Sequence, residues 1–422
     1  MYAVEVVADD LTGAMDTSQG FAARGYATTV VADPEAKMDE IEQGAAVLGI
    51  NTNSRYDSEA DAIDAVSTAV GAISSQTIYK KVDSTLRGNF AGEVDAALSV
   101  SGAELALVAP AFPSAGRTTE DGVHYVKGAP VAETEYGDDK KGPTSSSLVD
   151  LFKSIDRPVD NIPLSTLKGG HDEVATAVTD IVERSSQAPI IICDAVEDTH
   201  LATAAEATTD VNALYVGSAG LAEQITVSGA NADTHSSVQL LDGAALGIAG
   251  SVSKITLEQL DHVSNDVFIQ IDGSTLLNGN DLDNIVEQAV QRLRDNQPVV
   301  LTAATAAEDV DQTLAVGEEQ GLTSSEIREQ IATGLATIAA AVLQDETPSG
   351  LLLTGGDIAV AVIRELEATA VTLTGEEVEA GIPIGTFADG ATSGMPLITK
   401  AGGFGSEEAI VNCLDVLSQT DA

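Results

Sequence analysis

Short apolar runs rich in branched residues alternate along this chain with longer, alanine-rich stretches of helical period. That rhythm confines the fold to parallel sheets covered by helices, the α/β class, because a parallel neighbour can be reached only by a long crossover. In the first half, strands are expected from Val4 to Ala8, Thr28 to Ala32, Ala46 to Ile50, Thr77 to Val82, Leu105 to Ala109, Ile190 to Cys193 and Leu214 to Val216. Helical stretches such as Ser58 to Ile73 and Asp172 to Arg184 lie between them, and Gly122 to Tyr136 alternates like a β excursion. The small, polar segment Ser228 to Ser237 reads as a linker. Beyond it the rhythm restarts with Leu246 to Ala249, Val267 to Ile271, Val299 to Thr302, Leu351 to Thr354 and Pro396 to Thr399, with a long helix from Ser324 to Leu343. At 422 residues the chain exceeds what a single core supports. Two domains are expected, 1–235 and 236–422, each a mainly parallel sheet flanked by helices.

Acidic residues number 66 against 20 Lys and Arg, a formal charge of −46 spread over the whole sequence. Self-repulsion on that scale is screened at molar salt, where the Debye length falls to about 3 Å. A cytoplasmic protein of a salt-adapted organism is therefore expected. The same sign of charge argues against nucleic acid and anionic membranes as partners. Only 3% of residues are aromatic and none is Trp, which leaves no stacking platform for bases. Cys193 and Cys413 sit in apolar surroundings and read as buried thiols of a reducing compartment. The His and Cys residues show no metal-ligand spacing, and no apolar run reaches a membrane-spanning length of about 18 residues. No signal peptide is read at the N-terminus.

Within this acidic chain, Lys80, Lys81 and Arg87 fall together beside Asp83, Ser84 and Thr85. Cations, a carboxylate and hydroxyls in one turn suit a pocket for a small polyhydroxylated anion. The turn follows a strand, and ligands of open α/β sheets sit beyond the carboxyl ends of strands. Two more strand ends carry chemistry. Val4 to Ala8 runs into Asp9 and Asp10, whose carboxylates can take substrate hydroxyls, a cation or a proton, although a helix cap also explains one of them. Ala46 to Ile50 runs into Asn51-Thr52-Asn53-Ser54-Arg55, whose arginine suits bidentate recognition of a carboxylate. Lys80 and Lys81 alternate across a strand, so one of them faces the ligand side. An Asp83–Arg87 pair that merely ties down the turn is the plainer alternative there. The segment Ala109 to Thr119, with Arg117, is a further wall of the same site or a rigid loop.

In the second half, Ala249-Gly250-Ser251-Val252-Ser253, Thr354-Gly355-Gly356-Asp357 and Ala401-Gly402-Gly403-Phe404-Gly405-Ser406 each open a small-residue turn after a strand. Backbone N–H groups at such turns attract phosphate, and glycine lets it approach closely. Neither a G-x-x-x-x-G-K-[ST] loop nor a G-x-G-x-x-G opening a first βα unit is present at these turns.

Ala8-Asp9-Asp10-Leu11-Thr12-Gly13-Ala14, Lys80-Lys81-Val82-Asp83-Ser84-Thr85-Leu86-Arg87-Gly88, Gly116-Arg117-Thr118-Thr119 and the three glycine turns, the last opened by Lys400, occur here in sequence. In this order they resemble the four-carbon acid sugar kinase family. The resemblance spans nearly the whole chain and implies a first domain for a threonate-, erythronate- or 3-oxo-tetronate-type acid, a second for ATP with Mg²⁺, and an active-site cleft between the domains. Carried over, Asp9, Asp10, Arg55, Lys81, Val82, Asp83, Ser84, Thr85 and Arg87 would meet the acid. Ser251, Ser253, Gly355, Gly356, Asp357, Ile358, Gly402, Gly403, Phe404 and Gly405 would meet ATP. Asp83, ahead of Asp10, is expected to accept the proton of the attacking hydroxyl, with Arg55 and Lys81 or Arg87 on the carboxylate. Asp357 is a candidate magnesium ligand or a helix cap, and no other metal ligand is assigned. Asn51 and Asn53 stand where relatives often carry an acid, which bears on which acid sugar is used, and Val252 stands where many relatives have Cys. A hydroxy-acid dehydrogenase with a nucleotide cofactor and a non-catalytic acid-sugar sensor are the alternatives, and a homo-oligomer is left open.

Overall fold

The first strand, β1 (Tyr2–Ala8), is buried along its whole length, as a strand covered by helices on both faces must be. In the computed structural model, which describes residues 1–38, 41, 44–232, 238, 241–279 and 282–418, the chain divides into two units. One comprises Met1–Val30 with Lys37–Thr234, the other Val31–Ala36 with His235–Ala422. The expected boundary at residue 235 lies outside the described residues.

After β1 the first unit forms β2 (Thr28–Val31), β3 (Val47–Asn51), β4 (Ser75–Lys81) and β5 (Leu105–Ala109). It continues with β6 (Arg117–Glu120), β7 (Val123–Val126), β8 (Ala129–Pro130), β9 (Val159–Ile162), β10 (Ile190–Cys193) and β11 (Ala213–Gly217). The strand order is β2-β3-β1-β4-β11-β5-β10-β9, and every pairing from β3 to β9 is parallel. Strands such as Leu-Ala-Leu-Val-Ala and Ile-Ile-Ile-Cys are buried throughout because no face of them meets water. Phe21, Tyr79, Leu107, Ile191 and Tyr215 belong to the core. The expected excursion takes the form of a separate antiparallel sheet, β6-β7-β8. Val159–Ile162, with Asp160 and Asn161 inside it, carried no strand signal.

The second unit forms β12 (Leu246–Ala249), β13 (Phe268–Gln270), β14 (Val299–Thr302), β15 (Leu351–Thr354), β16 (Ala370–Glu379), β17 (Ile382–Phe387) and β18 (Pro396–Lys400). Their order is β13-β14-β12-β15-β18-β17-β16. The pairings from β13 to β18 are parallel, and β17 runs antiparallel to both β18 and β16. The long helix Ser324–Asp345 starts at a capping box of Thr323 and Glu326. Cys193 and Cys413 are buried free thiols. No helix among the described residues is long and apolar enough to cross a membrane.

Both sheets reverse direction at one place. In the first, β2 and β3 fill one side of β1 and the chain then crosses to β4 on the other. In the second it does the same around β12, with β14 on one side and β15 on the other. Such switch points open a crevice at the carboxyl ends of the strands, and the motifs singled out above lie there.

Candidate functional site

In the first unit β3, β1 and β4 are neighbours, so the loops leaving their carboxyl ends converge. Asp10 caps the helix Leu11–Ala22, its Oδ1 accepting the Gly13 amide at 2.9 Å, while Asp9 is buried behind it. Arg55, from the loop after β3, lies across both carboxylates. Its Nε and Nη2 donate to Asp9 at 2.9 and 2.8 Å, and its Nη1 and Nη2 donate to Asp10, both at 2.8 Å. Those bonds engage all but one of the N–H groups of the guanidinium. Arg55 thus holds the two aspartates together. Asn51 is buried and its Oδ1 accepts the amide of Asn53, which makes these asparagines turn formers.

β4 sends its two lysines to opposite faces. Lys80 is fully buried, paired to Glu93 Oε2 at 2.8 Å and donating to the Lys81 carbonyl at 2.8 Å. Lys81 is also buried, and its charge acts on Asp9 and Asp83. It lies against Gly13, where an added Cβ would come within 2.8 Å of Nζ and 2.5 Å of Asp10 Oδ1. Glycine is needed here so that the carboxylate and the ammonium can both reach the helix start.

The turn after β4 begins with buried Val82 and is organised by Asp83, whose Oδ2 accepts from Thr85 Oγ1 at 2.5 Å and from Arg87 Nε at 2.6 Å. Gly88 then takes φ +99°, with the Asp9 carboxylate so close that a Cβ would sit 2.8 Å from it. Burial alone would raise the pKa of Asp83, but Arg55 and Arg87 beside it hold its carboxyl well below the usual carboxylate range. Against burial, Arg55 and then Lys80 and Lys81 lower Asp9 likewise. Asp10 keeps about a quarter of its side chain exposed, 26%.

Three supporting residues escaped the sequence reading. Glu93 accepts both Lys80 and the Ser54 hydroxyl, the latter at 3.2 Å, and burial pushes its carboxyl above the ordinary range. His124 is buried, and burial brings its imidazole down to about 4. It is therefore neutral near pH 7, donating from Nε2 to the half-buried Ser84 carbonyl at 2.9 Å and accepting at Nδ1 from Thr119. Thr119 thus supports the turn, whereas Arg117 folds back onto the Ala115 carbonyl. Tyr136 lies under the Arg87 guanidinium, 5.5 Å from ring centroid to Cζ.

In the second unit the loops after β12, β15 and β18 leave adjacent strands. Ser253 caps the helix Lys254–Leu260 and donates to the Gly402 carbonyl at 2.5 Å. Ser251 Oγ meets Thr256 Oγ1 at 3.0 Å. Gly355, at φ +98°, packs so that a Cβ would stand 3.3 Å from the Ser251 amide, and one on Gly402 would stand 2.3 Å from Ser251 Oγ. A Cβ on Gly403 would meet nothing within 4 Å. Ser251, Ser253, Gly355 and Gly402 therefore come together around an open, amide-rich surface. Gly356 and Asp357 open the helix Gly356–Glu365, and Asp357 is exposed. Ile358 is buried against Gly250, which makes it a packing residue. Phe404 is 39% exposed, and Gly405 turns the chain at φ +87°. Lys400, Thr256 and Gln259, all buried beneath these loops, were not anticipated.

Residues 4–225 match the family described as Sugar-binding N-terminal domain, and residues 246–410 the one described as Nucleotide-binding C-terminal domain. Among curated proteins, the chain is 33% identical to a D-threonate kinase of Salmonella typhimurium, over 97% of each chain. It is 31% identical to a D-erythronate kinase of Heliobacterium modesticaldum, over 98% of this chain and 97% of the other. A crystal structure from Salmonella typhimurium shares the fold, with a TM-score of 0.83 at 22% identity over 97% of this chain and 98% of that one.

Proposed function

Because the chain belongs to the four-carbon acid sugar kinase family, we propose that it transfers the γ-phosphoryl group of ATP to a threonate-, erythronate- or 3-oxo-tetronate-type acid, at the terminal hydroxyl. It is a phosphotransferase of the sugar-binding and nucleotide-binding architecture. The observation that carries the substrate reading is Lys81: a buried lysine at the carboxyl end of β4, set against Gly13 and Asp10 at a helix start, suits a small carboxylate.

In this reading Lys81, helped by Arg87, takes the acid's carboxylate. Val82, Ser84 and Thr85 supply main-chain and hydroxyl contacts, and Asp83 keeps Arg87 and the turn in place. Asp9 acts through Arg55, which fixes the orientation of Asp10. Asp10, the better exposed carboxylate, accepts the proton as the hydroxyl oxygen bonds to phosphorus and the bond to the leaving ADP oxygen breaks. Positioning and charge neutralisation supply most of the acceleration in such a transfer.

The cradle of the second unit suits a nucleotide's phosphates, since glycines stand where a Cβ would fill the space beside Ser251. Ser251, Ser253, Gly355, Gly356 and Gly402 to Gly405 would hold ATP. Magnesium would neutralise its phosphates, held by phosphate oxygens, water and the single exposed carboxylate of Asp357, an arrangement typical of this ion. The 1–235 and 236–422 division assigns the acid to the first domain and ATP to the second.

The test is ADP formation from ATP and Mg²⁺ at high KCl, over D- and L-threonate, D- and L-erythronate and their oxo forms. D-threonate stands first because a D-threonate kinase is the 33% identical relative. Turnover of one acid is expected. Silence over the whole panel while ATP binds would remove the substrate assignment.

A further inference from the structure

Side chains beneath the last glycine loop hold the carbonyls of residues 401, 402, 404 and 406. The ammonium of Lys400 donates to Ala401 O at 3.0 Å. The hydroxyls of Ser253 and Thr256 donate to Gly402 O at 2.5 and 3.0 Å. The amide of Gln259 donates to Phe404 O at 3.0 Å and Ser406 O at 2.7 Å. A trans peptide is planar, with its N–H directed opposite to its C=O. Drawing the carbonyls of residues 401, 402 and 404 inward therefore turns the amides of Gly402, Gly403 and Gly405 outward. A Cβ on Gly403 would meet nothing within 4 Å, so the loop is open there.

We propose that Lys400 is the positioning residue of the nucleotide site: with Thr256, Ser253 and Gln259 it aims the amides of Gly402, Gly403 and Gly405 at the phosphates. This rests on the reading of the second unit as the ATP-binding domain and deepens it. The lysine ends β18 with 2% of its surface exposed, so its charge lies below the loop instead of projecting from it. Its Nζ also reaches Thr256 Oγ1 at 3.5 Å, and that hydroxyl touches Ser251 Oγ. One buried cation thus links the loops after β12 and β18.

The charged and titratable neighbours of Lys400 are Cys413, from the helix Ala409–Leu417, and Glu379, from β16. Burial raises the Cys413 thiol to about 12. Glu379 is lowered: burial opposes this, but bonds from Ser406 and Asn412 outweigh it. Burial brings Lys400 itself down to about 8, with Cys413 and Glu379 opposing. Above that pH the lysine loses its charge, its hold on Ala401 O weakens, and the cradle loses its positive floor.

The experiment is calorimetric measurement of the MgATP dissociation constant from pH 7 to 9.5 for the wild type, Lys400→Arg, Lys400→Met and Thr256→Val, with unfolding midpoints taken without nucleotide. In the wild type the constant should rise through pH 8. In Lys400→Arg, which stays charged, it should be flat. Lys400→Met should bind on the order of tenfold more weakly at pH 7 with no further pH dependence. If Lys400→Met does not fold, the wild-type and Lys400→Arg profiles decide. A flat wild-type profile, or Lys400→Met binding as tightly as the wild type, overturns the assignment while leaving the kinase reading intact. A wild type that binds no MgATP removes both.

Discussion

The buried ammonium of Lys80 donates to the carbonyl of Lys81 at 2.8 Å, so one lysine fixes the main chain from which the next reaches toward the site. Adjacent residues of the same type thus have separable roles. Lys80→Met leaves Glu93 buried without its counter-ion and should cost about 3–5 kcal/mol of stability. Adding Glu93→Gln should restore most of that. Lys81→Met should barely change stability and should raise KM for the acid by 10-fold or more, on the scale of a lost charge-assisted bond. Urea unfolding and steady-state kinetics check both; equal effects on stability would contradict the separation.

The two candidate bases should part in kinetics. Asp10→Asn is expected to lower kcat by about 100-fold or more, within the range of general base catalysis. Asp83→Asn should act mainly on KM for the acid, through a loosened Arg87. Because the Asp83 carboxyl is depressed in the folded state, its pairing contributes stability fully above the unfolded value of 3.8 and loses it as pH falls below that. An acid limb of kcat near neutral pH that disappears in Asp83→Asn would return the base role to Asp83.

Glu5 behaves in the opposite sense. It is buried in β1, one carboxylate oxygen has no partner, and burial raises its pKa to about 8, with the Ser75 hydroxyl opposing. The unfolded chain releases this proton from about 4.5 while the folded chain keeps it. Stability should therefore fall as pH rises between those values, by at most about 1.4 kcal/mol per pH unit. Glu5→Gln should flatten that slope and be more stable than the wild type at pH 8, by urea unfolding at pH 5 and 8.

Gly403→Ala offers a clean probe of the cradle. The new methyl would touch nothing within 4 Å, so the unfolding midpoint should stay put. If phosphate approaches there, MgATP affinity should fall severalfold in calorimetry. Unchanged affinity would move the phosphates off this face.

With 66 acidic residues against 20 basic ones, surface repulsion should dominate stability at low salt. The unfolding midpoint is expected to climb as KCl rises from about 0.1 to 2 M, as the Debye length shrinks from about 10 Å toward 3 Å and below. A midpoint independent of KCl would refute salt adaptation.

The loops around the site were legible because α/β geometry puts ligands at the carboxyl ends of strands, and Asp9, Arg55, Lys81 and Ser251 all stand there. Their partners were not. Arg55 meets Asp9 only because β3 lies beside β1, a register that local sequence does not state. Glu93 reads as an ordinary acid of the helix Phe90–Ser101 until Lys80 is found beneath it. The β16–β17 hairpin was missed because Glu376, Glu377 and Glu379 oppose strand propensity, although Gly381 marks its turn at φ +78°. Lys400 was quoted as the first letter of a motif, and nothing in its neighbours revealed that its side chain points under the loop it precedes.

The carboxylates of Asp9, Asp10, Asp83 and Glu93 lie among Arg55, Lys80, Lys81 and Arg87, so opposite charges interleave in the first site of a strongly anionic chain. Most of these groups are out of contact with water, where mobile ions barely reach them. The centre is electrically insulated from its own exterior: an internal salt crystal in miniature, whose charges are held by fixed neighbours and not by the ions outside.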